Sequence, residues 1–407
     1  MTEAVIVATA RSPIGRAGKG SLKDMRPDEL LEQMIATAIS KVPQLPLSDI
    51  EDIHVGIGQP GGAGGYNIAR VAAVELGLDH VPGVTVNRYC SSSLQTTRMA
   101  MHAIRAGEGD VFISAGVESV SSFGTTGAAD GLPNSKNPLF AEAEERTARA
   151  AQGGLGPWHD PREDDELPDV YIAMGQTAEN VASYTGISRE DQDRWGVLSQ
   201  NRAEKAIADG FFAREIDPIT LPDGTEVTAD DGPRAGTTYE KISGLNPVFR
   251  PDGTITAGNA CPLNDGAAAL VIMSDTKAKE LGLEPLARIV ATAATGLSPE
   301  IMGLGPIEAV RKVLKIANMT IDDIDLYELN EAFAVQVLGS AAALGMDHDR
   351  LNVSGGAIAL GHPFGMTGAR ITTTLINNLK THDKTFGLET MCVGGGQGMA
   401  MIVERLS

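Results

Sequence analysis

The sequence predicts an α/β protein built as two similar halves, with a helical segment inserted into the first. Three features predict this. Short β-branched runs alternate with amphipathic helical patterns, as expected of strands feeding crossover helices. The C-terminal part repeats the order of strand-like and helix-like segments found in the N-terminal part. Between them, from about residue 124 to 246, Gly-rich, charged and helical stretches interrupt the alternation.

Taken in order, Ala4–Ala8 reads as a buried strand and Asp28–Ser40 as an amphipathic helix. Ile53–Ile57 is a strand, Ile68–Leu76 a helix, Val84–Val86 a strand, Ser91–Ala106 a helix and Val111–Ala115 a strand. The interrupting segment holds the charged stretch Glu142–Arg149 and an acidic run after His159, read as a solvated loop. Two helices follow, Thr177–Tyr184 and Arg189–Asp209, the second starting after Ser188 with Glu190 and Asp191 in its first turn. Thr254–Ala257 and Ala267–Met273 then return to strand patterns. The repeat aligns Ser48–Val55 with Asp322–Tyr327, Val86–Cys90 with Val353–Ala357, and Val111–Gly116 with Met391–Gly396.

The composition narrows the function. The chain has 407 residues, with 33 Lys and Arg against 53 Asp and Glu, a net charge of −20. Nucleic acid and anionic membranes call for a positive surface, so neither is an expected partner. The longest apolar run, Gly266–Met273, is far short of the roughly 20 residues that span a bilayer. Cys90, Cys261 and Cys392 lie far apart with no Cys-x-x-Cys, which argues against a disulfide framework or a metal site. Free thiols and an N-terminus without a basic, apolar leader point to the cytoplasm.

Four features carry chemistry. Cys90 stands where a strand turns into a helix, and the positive end of the helix dipole there favours thiolate. His362 is set among glycines in Gly355–Arg370, where backbone can approach a ligand closely and an imidazole can act as base. Cys392 begins Cys-Val-Gly-Gly-Gly-Gln-Gly, whose backbone N–H groups suit an oxyanion. Asn330 follows a strand and either holds a water or oxyanion, or caps the next helix. Each feature alone has a structural reading as well.

Together these segments resemble the thiolase family. The matching stretches are Val86-Asn-Arg-Tyr-Cys-Ser-Ser, Met174-Gly-Gln-Thr-Ala-Glu-Asn, Thr256-Ala-Gly-Asn-Ala, Asn264-Asp-Gly-Ala-Ala, Asn330-Glu-Ala-Phe-Ala, Gly355–Arg370 and Cys392–Gly398, spread over about residues 3 to 405. The resemblance implies a thiolase fold: two halves related by a pseudo-two-fold, stacked in five αβαβα layers, with an inserted loop domain. The halves would be 1–123 with 247–275, and 276–407, and the insert 124–246. It also implies a homodimer or homotetramer, with CoA and acyl-CoA thioesters as substrates and no separate cofactor or metal.

By the same resemblance Cys90 is the nucleophile, His362 its base, and Cys392 the group that protonates the enolate. Asn330 holds a water beside His362, and the N–H groups of Cys90 and Gly394 form the oxyanion hole. Arg234, Phe249, Cys261, Met174 and Met302 match positions along the CoA and acyl channel. Four residues depart from the family pattern: Cys261-Pro262 replaces Ser-Gly, Ser93 replaces Gly, and Ala173 replaces the His of short-chain biosynthetic members. The implied activity is cleavage of a 3-oxoacyl-CoA by CoA, in fatty-acid or related lipid degradation. The alternatives are a biosynthetic acetoacetyl-CoA-forming acetyltransferase and a non-catalytic acyl-CoA or lipid carrier. A dehydrogenase reading rests on Gly56-Ile-Gly-Gln-Pro-Gly61, which fits a dinucleotide fingerprint but contains Pro60 and lacks the following acid.

Overall fold

Strand β1 (Ala4–Arg11) is the seam between the two halves of this computed structural model, which describes residues 2–123, 135–154 and 156–407. The other principal strands are β2 (Asp52–Gly56), β3 (Gly83–Val86), β4 (Val111–Ser119), β5 (Asn264–Ser274), β6 (Ala287–Gly296), β7 (Leu326–Leu329), β8 (Phe386–Val393) and β9 (Gln397–Arg405). They hydrogen-bond in the order β7-β8-β9-β6-β1-β5-β4-β2-β3, with Gly15–Arg16 a short extra strand on β5. The halves are not separate sheets. Val5 pairs with Arg288 and Ile6 with Ala287, so β1 joins both halves into one ten-stranded sheet.

The halves mirror each other. β3 and β2, and β2 and β4, run parallel; β4, β5 and β1 follow antiparallel. In the second half β7 and β8 are parallel, and β8, β9 and β6 antiparallel. A parallel bridge from Leu351 to Tyr327 stands where β3 pairs with β2. One part of the sequence repeat is corrected here. The Glu51 N–H donates to Val111 O at 2.9 Å, and the Asp325 N–H donates to Phe386 O at 2.9 Å. Val111 therefore corresponds to Phe386, five residues before Met391; the shared glycines had pulled the alignment to the wrong end of the strand.

Side chains alternate across the strands and sort the molecule into layers. Val271 and Met273 of β5 pack outward on α1 (Pro27–Ser40) and α2 (Ile68–Glu75), while Leu270 and Ile272 pack inward. The inner layer is α3 (Ser92–Ala106), with Leu94, Met101 and Ile104, and later α9 (Thr367–Thr381), with Ile371 and Leu375. Beyond the second half lie α7 (Gly305–Ala317) and α8 (Ala334–Leu344), packed on Leu388 and Ile402. This is the αβαβα stack. Because β5 is covered on both faces, its sequence is a continuous apolar run rather than an alternating one.

The segment before β5 is helical as expected. The charged stretch at Glu142–Arg149 forms α4 (Ala141–Ala150); α5 is Met174–Thr185 and α6 is Arg189–Ala208. Ser188 Oγ accepts the Asp191 N–H at 3.1 Å, the cap read from sequence. Helix α5 begins three residues before the expected Thr177, with Gly175 packed under the Phe249 ring. Glu163 to Glu166 are exposed. The Gly-rich opening at 124–134 lies outside the described residues. Thr254–Ala257 is not a strand: its donors go to side chains, with the Thr254 and Ile255 N–H groups on Glu179 and that of Thr256 on Asn259 Oδ1.

Candidate active site

Cys90 sits in the turn Tyr89–Ser91 that leads into α3, and is 8% exposed. Tyr89 has φ 44°, left-handed backbone that a tyrosine rarely adopts. Neighbours hold it there. Asn87 Oδ1 accepts the Tyr89 N–H at 2.8 Å, and Ser92 Oγ donates to Tyr89 O at 2.7 Å. The Gly394 N–H and the thiol's own N–H are directed at the Cys90 sulfur.

The thiol is nevertheless pushed up to about 11, chiefly by burial and further by Glu118. This corrects the expectation of a thiolate from helix position alone. A helix terminus contributes about 0.3–1 kcal/mol, under one pKa unit, whereas full burial shifts a group by up to about 3–5 units. Burial therefore wins, and Cys90 rests as a thiol that needs a base.

The candidate base is His362. His362 is 1% exposed, and burial, then Arg370, lowers its imidazole to about 3, so it is neutral near pH 7. Thr367 Oγ1 lies 2.6 Å from His362 Nδ1 and donates its own hydrogen to Pro363 O at 2.7 Å. Thr367 must then accept the Nδ1 hydrogen, which leaves Nε2 unprotonated, the acceptor nitrogen of the ring. Asn330 Nδ2 faces that Nε2 at 3.3 Å. Asn264 Oδ1 accepts the His362 backbone N–H at 3.0 Å and fixes the loop.

Asn330 is not a helix cap: the residue before α8 is Phe333. Its Oδ1 is buried without a hydrogen-bond partner, while its Nδ2 is the atom that faces His362. Cys392, on β8 opposite Gly398, is fully buried. Burial, with Cys90 and Cys261 nearby, keeps its thiol well above the ordinary range, the protonated state a proton donor requires. Gly394 needs its missing side chain, since a Cβ would approach the Tyr89 ring at 3.2 Å.

One cavity opens on Cys90, and a second lies at Cys261, whose thiol interacts electrostatically with Cys90. One, of about 310 Å³, is lined by Cys90, Tyr89, Gly394 and Phe364, with Lys136 and Val170–Met174 from the inserted segment. Ala173 and Met174 both line it. The other, of about 210 Å³, is lined by Arg16, Arg234, Phe249, Cys261 and Pro262. Met302 lines neither; it is buried in the cluster that holds Cys392 and Phe333. Thr367 and Arg16 are not singled out in the sequence reading, and Asn264 enters it only as the first residue of a matching stretch, without a role. Thr367 lies within the Gly355–Arg370 stretch, five residues after His362, which was its only signal. Arg16 is the second residue of a two-residue strand, with no motif around it.

Arg16 and Arg234 face each other, and their mutual repulsion adds to burial in lowering Arg234. Among the described residues neither guanidinium forms an ion pair, so the mouth of the smaller cavity is prepared for an anion. The dinucleotide alternative fails on geometry. The N–H groups of Gly58 and Gln59, which such a loop would offer to a pyrophosphate, are both donated to Glu118. The next helix, α2, begins only at Ile68, well past Gly61.

Comparisons with known proteins agree with this geometry. Residues 4–276 match the profile described as "Thiolase, N-terminal domain", and residues 283–405 match "Thiolase, C-terminal domain". The chain is 40% identical to a 3-ketoacyl-CoA thiolase of Bacillus subtilis, covering 99% of this chain and 100% of that one. It is 41% identical to a beta-ketoadipyl-CoA thiolase of Acinetobacter baylyi over the full length of both. Among solved structures it superposes on a Bacillus anthracis acetyl-CoA acetyltransferase with TM-score 0.85 and 40% identity, covering 100% and 99% of the two chains. On the dimeric peroxisomal thiolase of Saccharomyces cerevisiae the TM-score is 0.88 at 36% identity, covering 99% and 97%.

Proposed function

The chain belongs to the thiolase family, and from that membership we propose that it works in the cleaving direction on 3-oxoacyl-CoAs longer than acetoacetyl-CoA. It is an acyltransferase of thiolase-type Claisen chemistry, acting on CoA thioesters through a cysteine. The direction and chain length are the proposal, as are the roles of individual residues.

The observation that carries the assignment is the Gly394 N–H directed at the Cys90 sulfur, on the half of the molecule that also brings His362. His362 Nε2 takes the Cys90 proton, and the sulfur attacks the 3-keto carbon. The N–H groups of Cys90 and Gly394 receive the oxyanion; one such donor is worth about 3–4 kcal/mol. The C2–C3 bond breaks and the acetyl-CoA enolate leaves, with His362 and Asn330 beside its thioester oxygen. Cys392 gives its proton to the enolate carbon and recovers one from the incoming CoA thiol. CoA then attacks the Cys90 thioester, releasing the shortened acyl-CoA, and His362 returns the proton to Cys90. The Arg16–Arg234 pair suits the phosphates of CoA.

Ala173 supports the longer acyl group. Its methyl lines the larger cavity, next to Met174, where a histidine ring would take up space. Each buried methylene is worth about 0.8 kcal/mol, so accommodation should raise kcat/KM over several methylenes. The test is thiolysis of 3-oxoacyl-CoAs from C4 upward, with Ala173→His alongside. A preference for acetoacetyl-CoA, with longer substrates unaffected in Ala173→His, would leave a general acetyl-CoA acetyltransferase instead.

The enzyme also fits a homodimer, since the dimeric yeast thiolase shares its fold over nearly the whole chain.

A further inference from the structure

We propose that Glu118 is a positioning residue, the clamp that holds the nucleophile's side of the site against the base's side. Its side chain lies at the C-terminal end of β4 and is fully buried. Glu118 Oε2 accepts the Gly58 N–H at 2.7 Å and the Gly365 N–H at 2.8 Å; Oε1 accepts the Gln59 N–H at 3.1 Å. Gly58 and Gln59 follow β2 in the first half. Gly365 is three residues beyond His362 in the second. One carboxylate thus joins backbone from both halves, at the level where Cys90 and His362 must meet.

The fit has no slack. A Cβ on Gly58 would stand 2.8 Å from Glu118 Oε2 and 2.7 Å from Phe364 Cβ, and one on Gly365 would run into Val117 O. Three converging N–H donors call for an anionic acceptor with two oxygens. An amide offers one oxygen and would turn its own N–H groups on the donors. The clamp rests on the roles given above to Cys90 and His362, but not on the chain-length reading.

Glu118 also acts on Cys90 by charge. Burial pushes its carboxyl up to about 7, against the pull of its three N–H partners. The titratable groups facing it are Cys90, from the turn before α3, and Asp265, from β5. Residues 56–59 carry none, and His362 turns to Thr367 and Asn330 instead. A charged Glu118 makes thiolate formation at Cys90 harder.

The experiment compares wild type, Glu118→Gln and Glu118→Asp as full chains, in thiolysis of a 3-oxoacyl-CoA and in iodoacetamide alkylation of Cys90 across pH. For Glu118→Gln, kcat should fall by roughly tenfold to a hundredfold, the scale of a misplaced reacting group. KM for CoA should stay within about twofold, because the Arg16–Arg234 cavity lies elsewhere. The alkylation profile should shift to lower pH, because the like charge beside the thiol is gone; Glu118→Asp should keep the wild-type profile. A purely structural role would not move that profile. Wild-type kcat in Glu118→Gln, or a lower kcat with an unmoved alkylation profile, overturns the clamp. Should Glu118→Gln fail to fold, Gly58→Ala presses on the same oxygen from outside and must lower kcat likewise; unchanged kcat there also overturns it. Cys90→Ala is run in parallel: activity in that variant would sink the nucleophile assignment rather than the clamp.

Discussion

Thr367 Oγ1 lies 2.6 Å from His362 Nδ1, and its own hydrogen is committed to Pro363 O. The hydroxyl is therefore an acceptor toward the ring and selects the tautomer with an unprotonated Nε2. Thr367→Val keeps the shape and removes the acceptor, leaving a buried donor unpaired at a cost of about 1–3 kcal/mol. We expect kcat to fall by roughly 5- to 150-fold, the same energy expressed as a rate, with KM for CoA little changed. Thr367→Ser should restore most of the rate. Equal kcat in wild type and Thr367→Val would remove the positioning role.

Cys90 should be alkylated before Cys261, and acetyl-CoA should protect it. Since burial holds the thiol up to about 11, the labelling rate of free enzyme should keep climbing from neutral pH to about pH 10, without a plateau near 7. Peptide mapping after brief iodoacetamide treatment checks both points. A plateau near neutral pH would mean that the helix terminus outweighs burial after all.

Cys392→Ala should still accept an acyl group on Cys90 but turn over about 10²–10⁴-fold more slowly, the usual worth of a general acid or base. His362→Ala should lose both half-reactions. Burst measurement of the acyl-enzyme separates the two. A Cys392→Ala variant with near-normal turnover would reassign the proton donor.

Arg16→Gln should raise KM for CoA by roughly tenfold, as removal of one charged hydrogen bond to a phosphate implies. The same variant should behave normally with a short thiol acceptor that carries no phosphate. Steady-state kinetics with both acceptors decides the matter, since a general folding defect would impair both.

Glu328 is fully buried and its carboxyl is raised to about 8, by burial first, with Arg370 opposing. Between the unfolded value of about 4.5 and 8, the folded state holds a proton that the unfolded chain has lost, so stability from this group declines as pH rises through that window. Glu328→Gln mimics the protonated form. Its melting temperature should match wild type near pH 5 and exceed it increasingly toward pH 8. A constant difference across that range would show that the carboxyl does not titrate there.

Much of the fold was legible in the sequence because strand and helix periodicity is local. The cap at Ser188 and the run Gly266–Met273 needed only near neighbours to be read. Helix α5 and the segment Thr254–Ala257 were misjudged for the opposite reason. Phe249 packed on Gly175, and Glu179 taking the Thr254 and Ile255 N–H groups, are contacts across about 75 positions of chain.

The site divides in the same way. Cys90, His362, Cys392 and Asn330 announce themselves by type and by the glycines around them, and the sequence alone determined their identity and the family chemistry they resemble. Only the tertiary structure decided their state. Whether Cys90 is thiol or thiolate, which His362 nitrogen is unprotonated, and what Asn330 faces depend on burial and on partners such as Thr367, Glu118 and Gly394. Burial is set by every segment that packs over a group at once. A carboxylate such as Glu118, joining Gly58 to Gly365, leaves no periodic trace in the chain that carries it.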